Sequence, residues 1–186
     1  MQKSFKSAVC IICEDESIQK IRKKHDKNFI RWMPHINLFF PWVPEEEFTK
    51  YNEKLQKAIS EIEPFKIEFN KFGYFQHGNS CTMWLEPETE NNNIIELQKK
   101  MVEAFPEFNE LNTKSENGFT AHLTLGQWRN QNAVQRAIGS YKKDWKPLSF
   151  YIEHVNVISR GDKTPFKVKY QVKLGKGEKN MVVKMN

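Results

Sequence analysis

Two stretches decide how this chain is read: Pro34-His35-Ile36-Asn37-Leu38-Phe39-Phe40 and Ala121-His122-Leu123-Thr124-Leu125-Gly126. Each runs histidine, apolar, small polar, leucine. Alternate side chains of a strand share a face. His35 therefore points with Asn37, and Ile36 and Leu38 point the other way into a core. His122 points with Thr124, with Leu123 and Leu125 behind. Phe39 falls on the face of His35 and Asn37. Either strand alone reads equally well as an ordinary half-buried strand. Two of them in matching frames read as a site.

The surroundings repeat as well. After the first motif, Phe48, Tyr51, Leu55, Ala58, Ile59 and Ile62 recur at helical spacing up to Pro64. After the second, Val134, Ala137, Ile138, Tyr141 and Trp145 do the same up to Pro147. His35 lies 29 residues before Pro64, and His122 lies 25 before Pro147. A hairpin is expected around Gln76-His77-Gly78-Asn79. Strands are expected over 8–13, 148–159 and 166–174, and further helices over 17–24 and 94–105. Such a plan predicts an α+β bilobal duplicated fold: two antiparallel sheets facing a central cleft, with helices packed outside. No linker interrupts it. The expectation is a single domain over 1–186, with lobes near 1–90 and 91–175 and a tail over 176–186 that adds a last strand near 181–183 or stays unordered.

Composition narrows the class. The chain has 186 residues, 39% of them apolar and 28% charged, with 14 Phe and 5 Trp, which describes a globular protein and not a disordered one. No apolar run has the length of a membrane span. Three cysteines without framework spacing favour a reducing compartment, so a cytoplasmic place is expected, or a nuclear one. The Cys10 and Cys13 pair sits inside an apolar strand on opposite faces, which suits neither a redox motif nor a metal knuckle. Of the net charge of +6, residues 142–186 carry eleven Lys/Arg against four Asp/Glu. A basic end of this kind suits an anionic partner such as a nucleotide or RNA end, but on charge alone a solvated lysine face is the favoured reading.

Two imidazoles aimed into one cleft can divide general base and general acid work near neutral pH. The Asn37 amide and the Thr124 hydroxyl can donate hydrogen bonds to phosphate oxygens. Phosphodiester cleavage by such a pair needs no metal and no cofactor, and no Asp, Glu or Cys beside either motif completes a metal site.

The two motifs resemble the paired His-x-Ser/Thr-x signatures of the two-histidine phosphoesterase superfamily. Its RNA 2′,5′-ligase-like members act as 2′,3′-cyclic phosphodiesterases. The resemblance covers most of the chain. It implies His35 and His122 as the catalytic pair and Thr124 as a phosphate ligand, with Asn37 standing where the family has Ser or Thr. Many relatives carry Arg five residues after the second histidine. Here that position is Gln127, and Arg129 is the nearest substitute. Phe39, Trp128 and Tyr74 are candidates for stacking on a base. The expected activity is metal-independent hydrolysis of 2′,3′-cyclic phosphates on RNA ends or nucleotides by a monomer. The alternatives are a noncatalytic RNA or nucleotide-binding module, or an enzyme for 2′,5′-linked oligonucleotides. His25 reads as solvated, and His154 as structural.

Overall fold

The computed structural model describes residues 2–177 and 181–186. Strand β1 (Ser7–Ile12) is buried along almost its whole length. An apolar run with no polar face fits a strand covered on both sides. β2 (His35–Phe39) pairs along one edge of it and β7 (His154–Ser159) along the other, both antiparallel. β8 (Lys167–Lys173) and β9 (Val182–Lys184) complete a five-stranded sheet in the order β2-β1-β7-β8-β9. The tail thus adds the anticipated strand; residues 178–180 lie outside the described residues.

The second sheet grows from the expected hairpin, β3 (Phe65–His77) and β4 (Ser80–Glu88), which turns through Gly78 at φ +57°. A side chain is disfavoured at that angle, so glycine suits the turn. β5 (Leu123–Trp128) pairs with β4, and β6 (Leu148–Ile152) with β3, giving the order β5-β4-β3-β6.

Helices follow the apolar spacing. α1 (Glu16–His25) starts at Asp15, whose carboxylate accepts the Ser17 N–H at 2.7 Å, a standard N-cap contact. α2 (Phe48–Ile59) buries Phe48, Tyr51, Leu55 and Ile59. α3 (Asn93–Ala104) buries Ile94, Leu97 and Met101 and packs on α2. A short α4 (Glu110–Thr113) follows, which no sequence signal announces. α5 (Gln131–Asp144), capped by Asn130, lies on β3, β4 and β5.

Two expectations are corrected. The stretch 148–159 is not one strand. It breaks at Glu153, and β6 and β7 join different sheets. β6 alternates exposed and covered side chains, whereas Val155, Val157 and Ile158 of β7 are fully buried as a central strand requires. In consequence the boundary near residue 90 does not separate the sheets, since each takes strands from both halves of the chain.

One buried cluster runs through both sheets and includes Val9, Ile11, Ile36, Leu38, Leu85, Leu123 and Leu125. Ala8 and Cys10, on the opposite face of β1, form a smaller cluster with Ile158 and Phe166, covered by Trp32, Met33 and Phe40.

Candidate active site

β2 and β5 are the edge strands of their sheets, and they touch each other. His35 opens β2, and His122 immediately precedes β5. The alternation holds through both motifs. Ile36, Leu38, Leu123 and Leu125 are fully buried, while His35, Asn37, His122 and Thr124 are half-buried.

Both strands then break register at the same motif position. Val9 faces Phe39 while Cys10 faces Asn37, so β2 carries one extra residue at Leu38. Met83 faces Gly126 while Trp84 faces Thr124, so β5 carries one extra residue at Leu125. A bulge of this kind shifts the residues beyond it to the other face. Phe39 therefore leaves the face of His35. It is fully buried and stacked on Trp42, with centroids 5.0 Å apart. It is core, not a stacking platform in the cleft. Gly126 occupies the equivalent place in β5 at φ +154°, and a Cβ there would lie 2.6 Å from the backbone of His25. The glycine lets the end of α1 press against β5.

The two imidazoles are held alike. His35 Nδ1 lies 2.7 Å from the Met33 carbonyl oxygen, and His122 Nδ1 lies 2.8 Å from that of Thr120. A carbonyl only accepts, so Nδ1 carries the proton in both rings and Nε2 is left for chemistry. Burial lowers both pKa values. His35 falls to about 4, chiefly by desolvation; the Met33 carbonyl works against the shift, Arg22 and His122 add to it, and Asp26 opposes it. His122 is lowered from its usual 6.5, again chiefly by desolvation and opposed by the Thr120 carbonyl, with Lys114 adding repulsion.

Aromatic rings supply the dry surroundings. Trp32 stacks on His35, centroids 4.5 Å apart. Phe75 meets the His122 ring edge-on at 4.9 Å, and Trp84 lies 6.1 Å from it. Gly73 makes room for Trp84, because a Cβ there would run into the indole ring. Trp32 is held in turn from α1. Arg22, buried and paired with Asp26 at 2.9 Å, donates from Nη2 to the Trp32 carbonyl at 2.8 Å. Sequence reasoning singled out none of Trp32, Phe75 or Trp84. For Trp84 a signal existed: it sits on the hairpin face opposite the buried Met83 and Leu85. Trp32 lies in a loop, where no periodicity applies.

Asn37 keeps a polar atom in reserve. Its Oδ1 is a buried acceptor with no partner among the described residues, an unfavourable state that a donor such as a hydroxyl would relieve. Thr124 stands directly opposite Trp84.

The remaining candidates lie elsewhere. Trp128 stacks on His25 at 4.5 Å, against α1. His25 also lies 3.1 Å from the Tyr141 hydroxyl, so it is half-buried and not solvated. Arg129 is exposed beyond the end of β5, beside Gln76 and Asn79 of the hairpin tip, roughly 20 Å along the strand from His122. Tyr74 accepts from Gln131 and Gln135 at the start of α5. Gln127 accepts the Lys27 N–H at 3.0 Å, bracing the turn after α1. Cys10 and Cys13 are buried thiols, and burial pushes Cys13 up to about 12. No helix among the described residues is long and apolar enough to cross a membrane.

Two histidines with available Nε2 atoms, an amide and a hydroxyl on adjoining edge strands form a set suited to proton transfer around an anionic group. Residues 12–164 match the model of the 2′-5′ RNA ligase superfamily. A candidate phosphoesterase of Oceanobacillus iheyensis is 25% identical over 166 residues, covering 84% of this chain and 88% of the relative. An RNA 2′,3′-cyclic phosphodiesterase of Archaeoglobus fulgidus is 29% identical over 100 residues, 53% of each chain. Among solved structures, TT0787 of Thermus thermophilus superposes with a TM-score of 0.59 at 18% identity, covering 95% of this chain and 100% of that one. LigT of E. coli complexed with 3′-AMP gives 0.58 at 14% identity, over 92% and 98%. At those identities the likeness concerns the fold.

Proposed function

The chain belongs to the 2′-5′ RNA ligase superfamily, and we propose that it is a phosphodiesterase that opens 2′,3′-cyclic phosphates on RNA ends or nucleotides. His35 Nε2 takes a proton from water, and the water oxygen bonds to phosphorus. The bond from phosphorus to O3′ breaks, and O3′ receives the proton on His122 Nε2. The products are a 2′-phosphate and a free 3′-hydroxyl, and exchange with solvent returns both imidazoles to their starting states. The Asn37 amide and Thr124 hydroxyl hold phosphate oxygens as charge builds on them.

The observation that carries this reading is the matched tethering of the rings. Each Nδ1 is committed to a carbonyl two residues back, so each Nε2 is the working atom. His35, brought to about 4, is a neutral base at pH 7. The archaeal relative's name supports the cyclic substrate. The test is turnover on a panel of nucleoside 2′,3′-cyclic phosphates, 2′,5′-linked dinucleotides and short RNAs with cyclic ends, with a chelator present. Cleavage of the cyclic phosphates supports the reading. Binding without turnover of any of them overturns it in favour of a noncatalytic module.

A further inference from the structure

Beside Trp32, the turn after α1 and the β7–β8 connection line a pocket of about 260 Å³. Lys27, Arg31, Arg160 and Lys163 line it, with Asp162 as its only carboxylate. Asp162 is already engaged, 2.6 Å from Lys6. None of the four cations has a carboxylate partner among the described residues. Arg160 donates from Nη1 only to the carbonyls of Gly161 and Asp162, and its Nε is buried without a partner. Four uncompensated cations around a cavity make an anion site.

The pocket is joined to the catalytic face by a column of stacked groups. The Arg160 guanidinium lies 5.5 Å from the Phe166 ring, Phe166 lies 3.8 Å from Trp32, and Trp32 lies 4.5 Å from His35. The Phe166 N–H also donates to the Arg31 carbonyl at 2.9 Å, tying the two walls together. The cationic groups therefore stand a fixed few ring-widths from His35.

We propose that this pocket binds backbone phosphates of a single-stranded RNA next to its reacting end, which makes an oligonucleotide, not a mononucleotide, the preferred substrate. The assignment rests on the phosphodiesterase reading above for the position of that end. Arg31 and Lys163 hold the strand. Ile30, 81% exposed on the rim, offers an apolar contact to a base.

The experiment compares wild type with Arg31→Gln, Lys163→Gln and the double variant. Turnover is measured on a nucleoside 2′,3′-cyclic phosphate and on an RNA tetramer with a cyclic end, across a salt series. On the tetramer the double variant should lose about tenfold in kcat/KM at low salt. Its salt slope should fall by about 0.7 for each phosphate contact removed. On the mononucleotide it should stay within about twofold of wild type, because that substrate carries no neighbouring phosphate. Equal loss on both, or none on either, overturns the proposal. Binding of a fluorescent RNA tetramer with an ordinary 3′-phosphate is the second arm and needs no turnover. Weakened binding by the double variant supports the subsite even if no substrate is cleaved, in which case only the phosphodiesterase reading fails. Unchanged binding overturns the subsite even in an active enzyme. ATP displacing the tetramer as well as an unlabelled tetramer does would also overturn it, pointing to a nucleotide polyphosphate instead of a strand.

Discussion

The indole of Trp32 lies flat on the imidazole of His35, with ring centroids 4.5 Å apart and planes 17° apart. Phe166 backs the indole, and Arg22 grips its carbonyl. Stacked in this way, Trp32 excludes water from one face of the ring, and desolvation is the chief cause that brings His35 to about 4. Replacing it by alanine admits water while leaving Arg22, Asp26 and His122 in place. In Trp32→Ala the His35 pKa should rise toward 6.5, read by NMR titration of the imidazole. The acid limb of kcat/KM against pH should move up with it. An unmoved His35 titration would remove Trp32 from its control.

A depressed histidine pKa also makes stability depend on pH. Above 6.5 the ring is neutral in both folded and unfolded chains, so it contributes no pH dependence. Between 6.5 and about 4 the unfolded chain takes up a proton that the folded chain refuses. Folding should therefore weaken as pH falls through that window, by up to about 3 kcal/mol from this group. Thermal melts at pH 7 and pH 4.5 should show a smaller drop for His35→Gln than for wild type. Equal drops would mean that His35 is not held neutral by the fold.

Asn37 stands where the resembled signature has Ser or Thr. If its amide holds a phosphate oxygen, Asn37→Ala removes a hydrogen bond to a charged group worth about 1.5–3 kcal/mol. That corresponds to a loss of roughly ten- to a hundredfold in kcat/KM. Asn37→Thr should retain more, and Asn37→Asp least, because a carboxylate repels the phosphate. Assay of all three on one cyclic phosphate decides it. Alanine and aspartate variants equal to wild type would exclude Asn37 from phosphate binding.

The period-two pattern placed both histidines, Asn37 and Thr124 on the correct faces, since that pattern is local and strong. The hairpin at Gly78 and the apolar faces of α2, α3 and α5 were legible for the same reason. What failed depended on non-local pairing. The bulge at Leu38 turns Phe39 into the core, and only the partner strand β1 reveals it. The transfer of the chain between sheets at Glu153 follows from which strands need covering, not from the residues around the break. The aromatic walls were missed because Trp32 reaches His35 from a loop, through contacts that no spacing encodes.

Gly126 gives a test of the scaffold itself. Its φ of +154° and the approach of the His25 backbone leave no room for a methyl group. Gly126→Ala should lower stability by about 1–3 kcal/mol, the usual range for overpacking. Gly139, in the middle of α5, has nothing within 4 Å of an added Cβ. Gly139→Ala should instead stabilise by up to about 1 kcal/mol through helix propensity. Denaturant melts of the two variants should move in opposite directions, and a neutral Gly126→Ala would contradict the close packing of α1 on β5.

The central claim is that His35 and His122 act together on one phosphate, and the direct measurement is kcat/KM for wild type, His35→Ala, His122→Ala and the double variant. The substrate is an RNA with a 2′,3′-cyclic end, a chelator is present, and folding is checked by thermal melts. Each single variant should fall by about a hundred- to ten-thousandfold, the usual worth of a general acid or base. The double variant should fall little further, because the two groups work as a unit. Near-normal turnover by either folded single variant, or wild-type activity that vanishes with the chelator and returns with Zn²⁺ or Mg²⁺, would contradict the account.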